Sequence, residues 1–324
     1  MVPSKIRCLL RNVDMKLKIA FQLGLVVAIT AAIILGCATQ VTSQSISNTA
    51  DPPPAKTPIV ERQAAQGKTL SPSPRSTFPP EDPSPAATFP PAESTVLVDP
   101  VWEMLSKVNL DRALTDLKLL TGEEPICIDN ECYTIENRKT GSEGLRWAKK
   151  YAYQELAGLG YDVVLQDWST SEYSDQNIIA RKAGTVLPEH EIYFVAHLDG
   201  VDTALLERYP AADDNAGGVA DILEVARILK DYPFSRTIVL LISTGEEQGT
   251  LGVQSYLGQL SPSQLSAIQY VVNIDMIGYD ANQDHVMELW HGDHPPSIDF
   301  VHTISETIQA YELDLVPRFV VGCG

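Results

Sequence analysis

Three short apolar runs constrain this chain more than any other feature. They are Ile192-Tyr-Phe-Val-Ala-His197, Thr237–Thr244 and Tyr270–Ile277. Each is rich in β-branched or aromatic residues and lacks the polar alternation of a half-exposed strand, so each suits a strand buried on both faces. Between the first two lies an apolar pattern at helical spacing, Val219, Ile222, Leu223, Ala226 and Leu229, with Asp221, Glu224 and Arg227 on the opposite side. A further helix around Ser263–Ile268 precedes the third. Buried strands alternating with helices imply an α/β domain with a mostly parallel central sheet flanked by helices.

Upstream, Leu145, Ala148, Ala152 and Leu156 form one apolar face of a helix that opens at Thr140-Gly141-Ser142-Glu143, which has capping-box spacing, and closes at Gly160. Tyr161–Trp168 and Asn177–Lys182 add two strands, and Trp102, Leu105, Val108, Leu114 and Leu117 suggest one or two short helices before them. Cys127 and Cys132 lie in a loop, where an oxidising compartment favours a disulfide.

Residues 1–100 differ in kind. Lys5, Arg7, Arg11, Lys16 and Lys18 precede the apolar run Ile19–Leu35, which ends Gly36-Cys37. This is the layout of an export signal. Gly36-Cys37 resembles a bacterial lipobox, which implies a lipidated Cys37, and an uncleaved helical anchor is the alternative. Either way the remainder is expected outside the cytoplasmic membrane, periplasmic or on the cell surface, tethered to it as a lipoprotein or by a helix. Residues 38–100 are rich in Pro, Ser and Thr, as in Asp51-Pro-Pro-Pro and Ser71-Pro-Ser-Pro, and read as a disordered spacer. The expected organisation is a signal or anchor over 1–37, a linker over 38–100 and a catalytic domain over 101–324. The net charge of -18 makes nucleic acid a poor partner.

In open α/β sheets, ligands gather beyond the carboxyl ends of the strands. The polar clusters of this sequence fall there. His197-Leu-Asp199-Gly ends one strand, Gly245-Glu246-Glu247 another, and Asn273-Ile-Asp275-Met a third. Ala212-Asp213-Asp214-Asn215-Ala-Gly-Gly218 leads into the first helix between them, with more acids than a helix cap requires. One imidazole among several carboxylates suits a divalent hydrolytic metal, zinc first, with Mn or Co as alternatives. Of two adjacent acids, one can bind metal while the other takes a proton from water.

The order His-x-Asp-Gly, Asp-Asp-Asn-x-Gly-Gly, Gly-Glu-Glu-x-Gly and Asn-x-Asp-Met-Ile-Gly resembles the dizinc aminopeptidase family, which includes bacterial leucyl-type aminopeptidases, with glutamate carboxypeptidases and glutaminyl cyclases as relatives. The resemblance runs from about Gly141 to Gly324. It implies two zinc ions and hydrolysis of the peptide bond next to a chain terminus in peptide substrates. His197 and Asp275 would hold one zinc, Asp214 would bridge both, and Glu247 would bind the second. Glu246 would be the general base. Asp199 would support catalysis from behind, hydrogen-bonding the His197 ring to fix its tautomer. The family takes its fifth ligand, a His, from a late Asp-His motif, and Phe319-Val-Val-Gly-Cys-Gly324 looks like the lead-in to it. The sequence is therefore expected to be a truncated version of a complete enzyme. His285, His291 and His294 are candidate substitutes, more naturally read as solvated or as lining a cleft. If the chain is complete, a weak second zinc or a non-catalytic binding module is the alternative.

Overall fold

The computed structural model describes residues 99–201 and 208–322. In chain order the elements are α1 (Pro100–Ser106), α2 (Leu110–Leu120), β1 (Ile126–Ile128), β2 (Glu131–Tyr133), α3 (Glu143–Gly158), β3 (Asp162–Ser169), β4 (Ser174–Lys182) and β5 (Leu187–His197). They continue with α4 (Gly217–Leu229), β6 (Arg236–Ser243), α5 (Leu251–Gln259), α6 (Pro262–Ala267), β7 (Ile268–Asn273), β8 (Val286–His291), α7 (Pro295–Ala310) and β9 (Val316–Val321). The signal or anchor, nearly all of the linker and Cys323 lie outside the described residues. Among the described residues no helix is long and apolar enough to cross a membrane.

The central sheet has the order β3-β4-β6-β5-β7. The α/β class is borne out, but the sheet is mixed rather than mostly parallel, with two antiparallel and two parallel pairings among the described residues. β5 pairs in parallel with β6 and with β7, while β3 and β4 form an antiparallel hairpin whose inner strand runs against β6. The parallel part is built by the three apolar runs, but only β5 and β6 are buried as expected; β7 ends at Asn273 and, as the edge strand, alternates, with Val271 exposed. From β5 the chain crosses through α4 to β6 on one side, then through α5 and α6 to β7 on the other side. The carboxyl end of β5 is thus a topological switch point, where an open α/β sheet offers a crevice.

Alternate strand residues feed two cores. Ile178, Ala180, Ile192, Phe194, Ala196, Ile238, Leu240 and Ile242 pack with α2, α3 and α4 on one face. Ile179, Tyr193, Val195, Val239 and Leu241 pack against Tyr256 of α5 on the other. Each fully buried Leu, Ile or Phe side chain contributes about 1.5–3 kcal/mol by leaving water, which explains why the central strands carry no polar alternation. Cys127 and Cys132 form a disulfide across the β1–β2 hairpin.

Two local expectations change in three dimensions. The cap of α3 is Ser142, whose hydroxyl accepts from the Leu145 N–H, while Thr140 turns away toward Asp199 and Gln248. Glu143, one residue into the helix, accepts from the Trp147 indole instead. The polar side of α4 does not face water either, because α2 and α3 form a second layer over it. Glu224 is fully buried and accepts from the Asn109 N–H at 2.8 Å and the Arg112 Nε at 3.0 Å. Arg227 reaches Asp116 on α2 and Glu155 on α3. Amphipathic spacing correctly orients α4 on the sheet; it cannot reveal that its polar stripe is an internal ion network.

Asp221 stands outside that network. Both carboxylate oxygens are buried and have no hydrogen-bond partner among the described residues, and burial, reinforced by the Glu224 charge, holds its pKa well above the usual carboxylate range. An acid with a folded-state pKa above its unfolded value of about 4 keeps its proton only in the folded state, so its penalty is small in acid and grows as pH rises. Asp221→Ala is expected to raise unfolding stability by about 1–3 kcal/mol at pH 7, with a clearly smaller gain at pH 4. Urea titrations at both pH values check this, and an equal or absent gain would refute it.

Candidate metal centre

The metal-type side chains of four separate segments converge beyond the carboxyl ends of β5, β6 and β7. Strand register brings them to one level. His197 lies opposite Ser243 on β6, and Val195 opposite Asn273 on β7. Pairing continues past the strand ends, with the Leu198 N–H donating to Ser243 and the Ile274 N–H to Val195, both at 2.8 Å. Asp275 therefore emerges level with His197, and Glu246 and Glu247 emerge just beyond β6.

His197 is the hub, with only 4% of its side chain exposed. Its Nε2 is 3.1 Å from Asp214 Oδ1, 3.6 Å from Asp275 Oδ1 and 3.9 Å from Glu246 Oε2. Those three carboxylates are 38%, 36% and 35% exposed, so the cluster opens to solvent on the side away from the imidazole. One donor atom each from His197, Asp214 and Asp275 lies within 4.8 Å of the others. Glu247 stands beside this group, its Oε1 accepting from the Val201 N–H at 3.0 Å.

The local geometry explains how each residue arrives. Ala212–Ala216 is a π-helical turn in which Asp214 and Asn215 leave helical backbone, so the Asp214 carboxylate is not spent on capping. The cap of α4 is Ala216, and Asn215 takes over the duty, its Oδ1 accepting from the Gly218 N–H at 2.9 Å and its Nδ2 donating to the Ile274 carbonyl at 2.8 Å. A Cβ at Gly218 would stand 2.4 Å from Asn215 Oδ1 and 2.6 Å from the Ile274 carbonyl oxygen. Only glycine lets the helix start press this closely on the end of β7. Of the two adjacent acids, Asp213 turns to the Gly278 N–H at 2.6 Å while Asp214 faces His197.

The turn after β6 is locked from behind. Asn177, fully buried, accepts from the Thr244 N–H at 3.0 Å and donates to the Gly252 carbonyl at 2.8 Å, and the Trp168 indole donates to the Thr244 hydroxyl at 2.8 Å. Gly245 has φ +74°, and a Cβ there would come within 2.5 Å of the Trp168 ring, so both backbone and space require glycine.

Asp199 stands beside the imidazole Nδ1 with both its backbone carbonyl and its carboxylate. The ring Nδ1 lies 3.1 Å from the Asp199 carbonyl oxygen and 3.7 Å from Oδ1. The carboxylate itself accepts from the Glu246 and Glu247 backbone N–H groups, each at 3.2 Å. Asp199 thus joins the end of β5 to the turn that presents both glutamates.

The crowding of acids shows in their protonation. Burial alone would lower the His197 pKa, but hydrogen bonds and charge from Asp199 and Asp275 outweigh it and hold the imidazole at about 10. Burial raises Glu246, opposed by the His197 charge and reinforced by Asp275, Asp199 and Asp214. Burial and the Asp214 charge raise Glu247. A cluster that stabilises positive charge this strongly, built from one imidazole nitrogen and carboxylate oxygens, matches the donor set of zinc. His285 and His291 are engaged elsewhere: His285 Nδ1 is 3.0 Å from Asp314 and His291 Nδ1 is 2.7 Å from the Gly292 carbonyl, while His294 is the residue that precedes α7. Arg138, Thr140, Asn177 and Trp168, which support the site, carry no sequence signal that separates them from ordinary loop and strand residues.

A cluster of one imidazole and several acids at a switch point defines the class as a candidate metal-dependent hydrolase. Residues 177–316 match the model of peptidase family M28. The chain is 34% identical over 106 residues to aminopeptidase YwaD of Bacillus subtilis, covering 32% of this chain and 22% of the relative. It is 31% identical over 105 residues to a probable zinc metalloprotease of Pyrenophora tritici-repentis, again covering 32% and 22%. The chain thus spans about a fifth of the length of these curated relatives. Its fold is similar to that of BSAP, a zinc aminopeptidase from Bacillus subtilis, with a TM-score of 0.52 at 15% identity over 64% of this chain and 78% of that one.

Because the Asp199 carboxylate is the shared acceptor for both glutamate amides, Asp199→Asn replaces one acceptor oxygen by a donor facing an N–H. Zinc affinity is expected to fall about 10–100-fold with far-UV circular dichroism unchanged. Competition against a chromophoric chelator measures it, and wild-type affinity would refute the bridging role.

Proposed function

We propose that this chain is a zinc-dependent exopeptidase acting on peptide substrates, most specifically an aminopeptidase that hydrolyses N-terminal peptide bonds. The observation that carries this is the convergence of His197, Asp214 and Asp275 with Glu246 beside them. The family match and the relatives described as an aminopeptidase and a zinc metalloprotease support it. His197 Nε2 and Asp275 would hold one zinc, Asp214 would be shared, and Glu247 would take the second. Bound zinc supplies polarisation of the scissile carbonyl and acidification of a water.

The protein's own groups do the rest. The Asp199 carbonyl at Nδ1 fixes the imidazole so that Nε2 faces the carboxylates. Glu246 is the acid of the turn left free of a ligand role, and burial with neighbouring carboxylates raises its proton affinity. It is the group suited to take a proton from the attacking water and return it to the leaving amine. Glu247, tethered through the Val201 N–H, is held apart from that task.

We further propose that the domain works outside the cytoplasmic membrane, tethered through the N-terminal segment. The motivation is the basic stretch before Ile19–Leu35 and the Gly36-Cys37 junction. Expression with labelled fatty acid tests it. Label and membrane retention lost together in Cys37→Ser would support the lipid anchor. Retention without label would favour the uncleaved helix, and a wild-type protein found in the cytosol would end the proposal.

Activity assays distinguish the chemistries. Zinc-loaded protein should release free amino acids from unblocked aminoacyl substrates and not from N-blocked ones, and should lose this on chelation. Glu246→Gln should lower kcat about 10²–10⁴-fold while keeping zinc, whereas His197→Ala should lose zinc. Cleavage of N-blocked dipeptides, or cyclisation of N-terminal glutamine, would move the assignment to another chemistry. No zinc-dependent turnover of any of these would reject it.

A further inference from the structure

Behind the metal-type cluster lies a cation that the chemistry above does not use. Arg138 sits in the polar loop before α3, yet it is fully buried. Its Nε donates to the Leu198 carbonyl at 2.8 Å, its Nη1 to the carbonyls of Leu120 at 2.6 Å and Pro210 at 2.8 Å, and its Nη2 to the Ala211 carbonyl at 2.8 Å. Its own carbonyl accepts from the Gly200 N–H at 3.0 Å. The acceptors belong to three segments: the end of α2, the loop that leaves β5 straight after His197, and the loop that leads into Asp213-Asp214.

Burying a guanidinium is costly unless its donors are satisfied and its charge is compensated. Here backbone carbonyls satisfy the donors, and the charges of Asp199 and Asp214 oppose the lowering of its pKa by burial. The planar fork of five N–H groups fixes several acceptors in one geometry, which the point charge of a lysine cannot do. The two site loops also touch directly beside it. A Cβ at Gly200 would lie 2.5 Å from Ala211 Cβ and 3.9 Å from Arg138 Nη2. The spacing of these loops therefore depends on a missing side chain at one contact and on a guanidinium at the next.

We propose that Arg138 is a positioning residue of the metal centre, whose guanidinium sets the distance between the loop carrying His197 and Asp199 and the loop carrying Asp214, and holds both in the metal-receiving arrangement before any cation binds. Its fixed positive charge also offsets the mutual repulsion of Asp199 and Asp214 in the metal-free protein. The inference rests on the zinc-hydrolase reading.

The test uses metal-stripped protein with Arg138→Lys, Arg138→Gln and Gly200→Ala. Zinc affinity is measured by chelator competition, folding by circular dichroism and Tm in chelator, and turnover on an aminoacyl substrate as separate kcat and KM. Arg138→Lys keeps the charge and loses the fork, so it should bind zinc at least about tenfold more weakly and lose kcat with KM little changed. Gly200→Ala, which spreads the loops and leaves Arg138 in place, should move zinc affinity in the same direction. Folded Arg138→Lys with wild-type zinc affinity and kcat, lowered only in Tm, would reduce Arg138 to a packing role and overturn the proposal. Where the Arg138 variants do not fold, Gly200→Ala decides: wild-type affinity overturns the proposal, weakened affinity supports it. Failure of the wild-type chain itself to bind zinc would instead bring down the zinc-hydrolase reading, and this inference with it.

Discussion

The parallel pairing of β5 with β6 on one side and β7 on the other is the constraint on which the site depends. Because side chains alternate along a strand, a one-residue slip in either pairing would turn an entire apolar set from one core to the other. The two cores are both dense, so neither register can slip cheaply. His197 opposite Ser243 and Val195 opposite Asn273 are consequences of packing many residues away. The cluster of His197, Asp275 and the glutamates is thus assembled by the hydrophobic interior before any polar interaction among them counts.

Such an assembly creates a problem of charge. Several carboxylates that pack around one imidazole repel one another, and water is partly excluded from them. The fold answers with backbone donors rather than with a surrounding shell of lysines. Asp199 receives the two amides of the Glu246-Glu247 turn, Asp213 receives the Gly278 amide, and Glu247 receives that of Val201. Each of these bonds also fixes where a loop runs, so the electrostatic solution and the geometric one are the same set of contacts. Asp214 and Asp275 keep their carboxylates directed at His197, and a divalent cation is the ligand that would relieve their crowding.

Much of this was legible in the residue order. Strand identity, the helix after Asp214 and the strand-end location of the polar clusters derive from period and composition, because burial on two faces leaves a direct imprint on sequence. The helix cap at Ser142 rather than Thr140 was not legible, since both hydroxyls fit the local spacing and only the nearby Asp199 and Gln248 claim one of them. Asp221 and Glu224 read as the polar side of an amphipathic helix, and a second helical layer turned that side inward. Arg138, between Asn137 and Lys139, has the composition of a solvated loop and the environment of a core residue.

Residue type and short-range period were enough to set the α/β class, the buried runs and the side chains able to bind a metal. Three outcomes were settled by the folded arrangement alone: that Asp213 turns to the Gly278 N–H, that the Asp199 carboxylate holds the glutamate turn, and that a buried arginine braces both loops. They depend on contacts between residues 47, 65 and 73 positions apart in the chain, and no local pattern encodes which of several chemically equivalent groups such a contact will select.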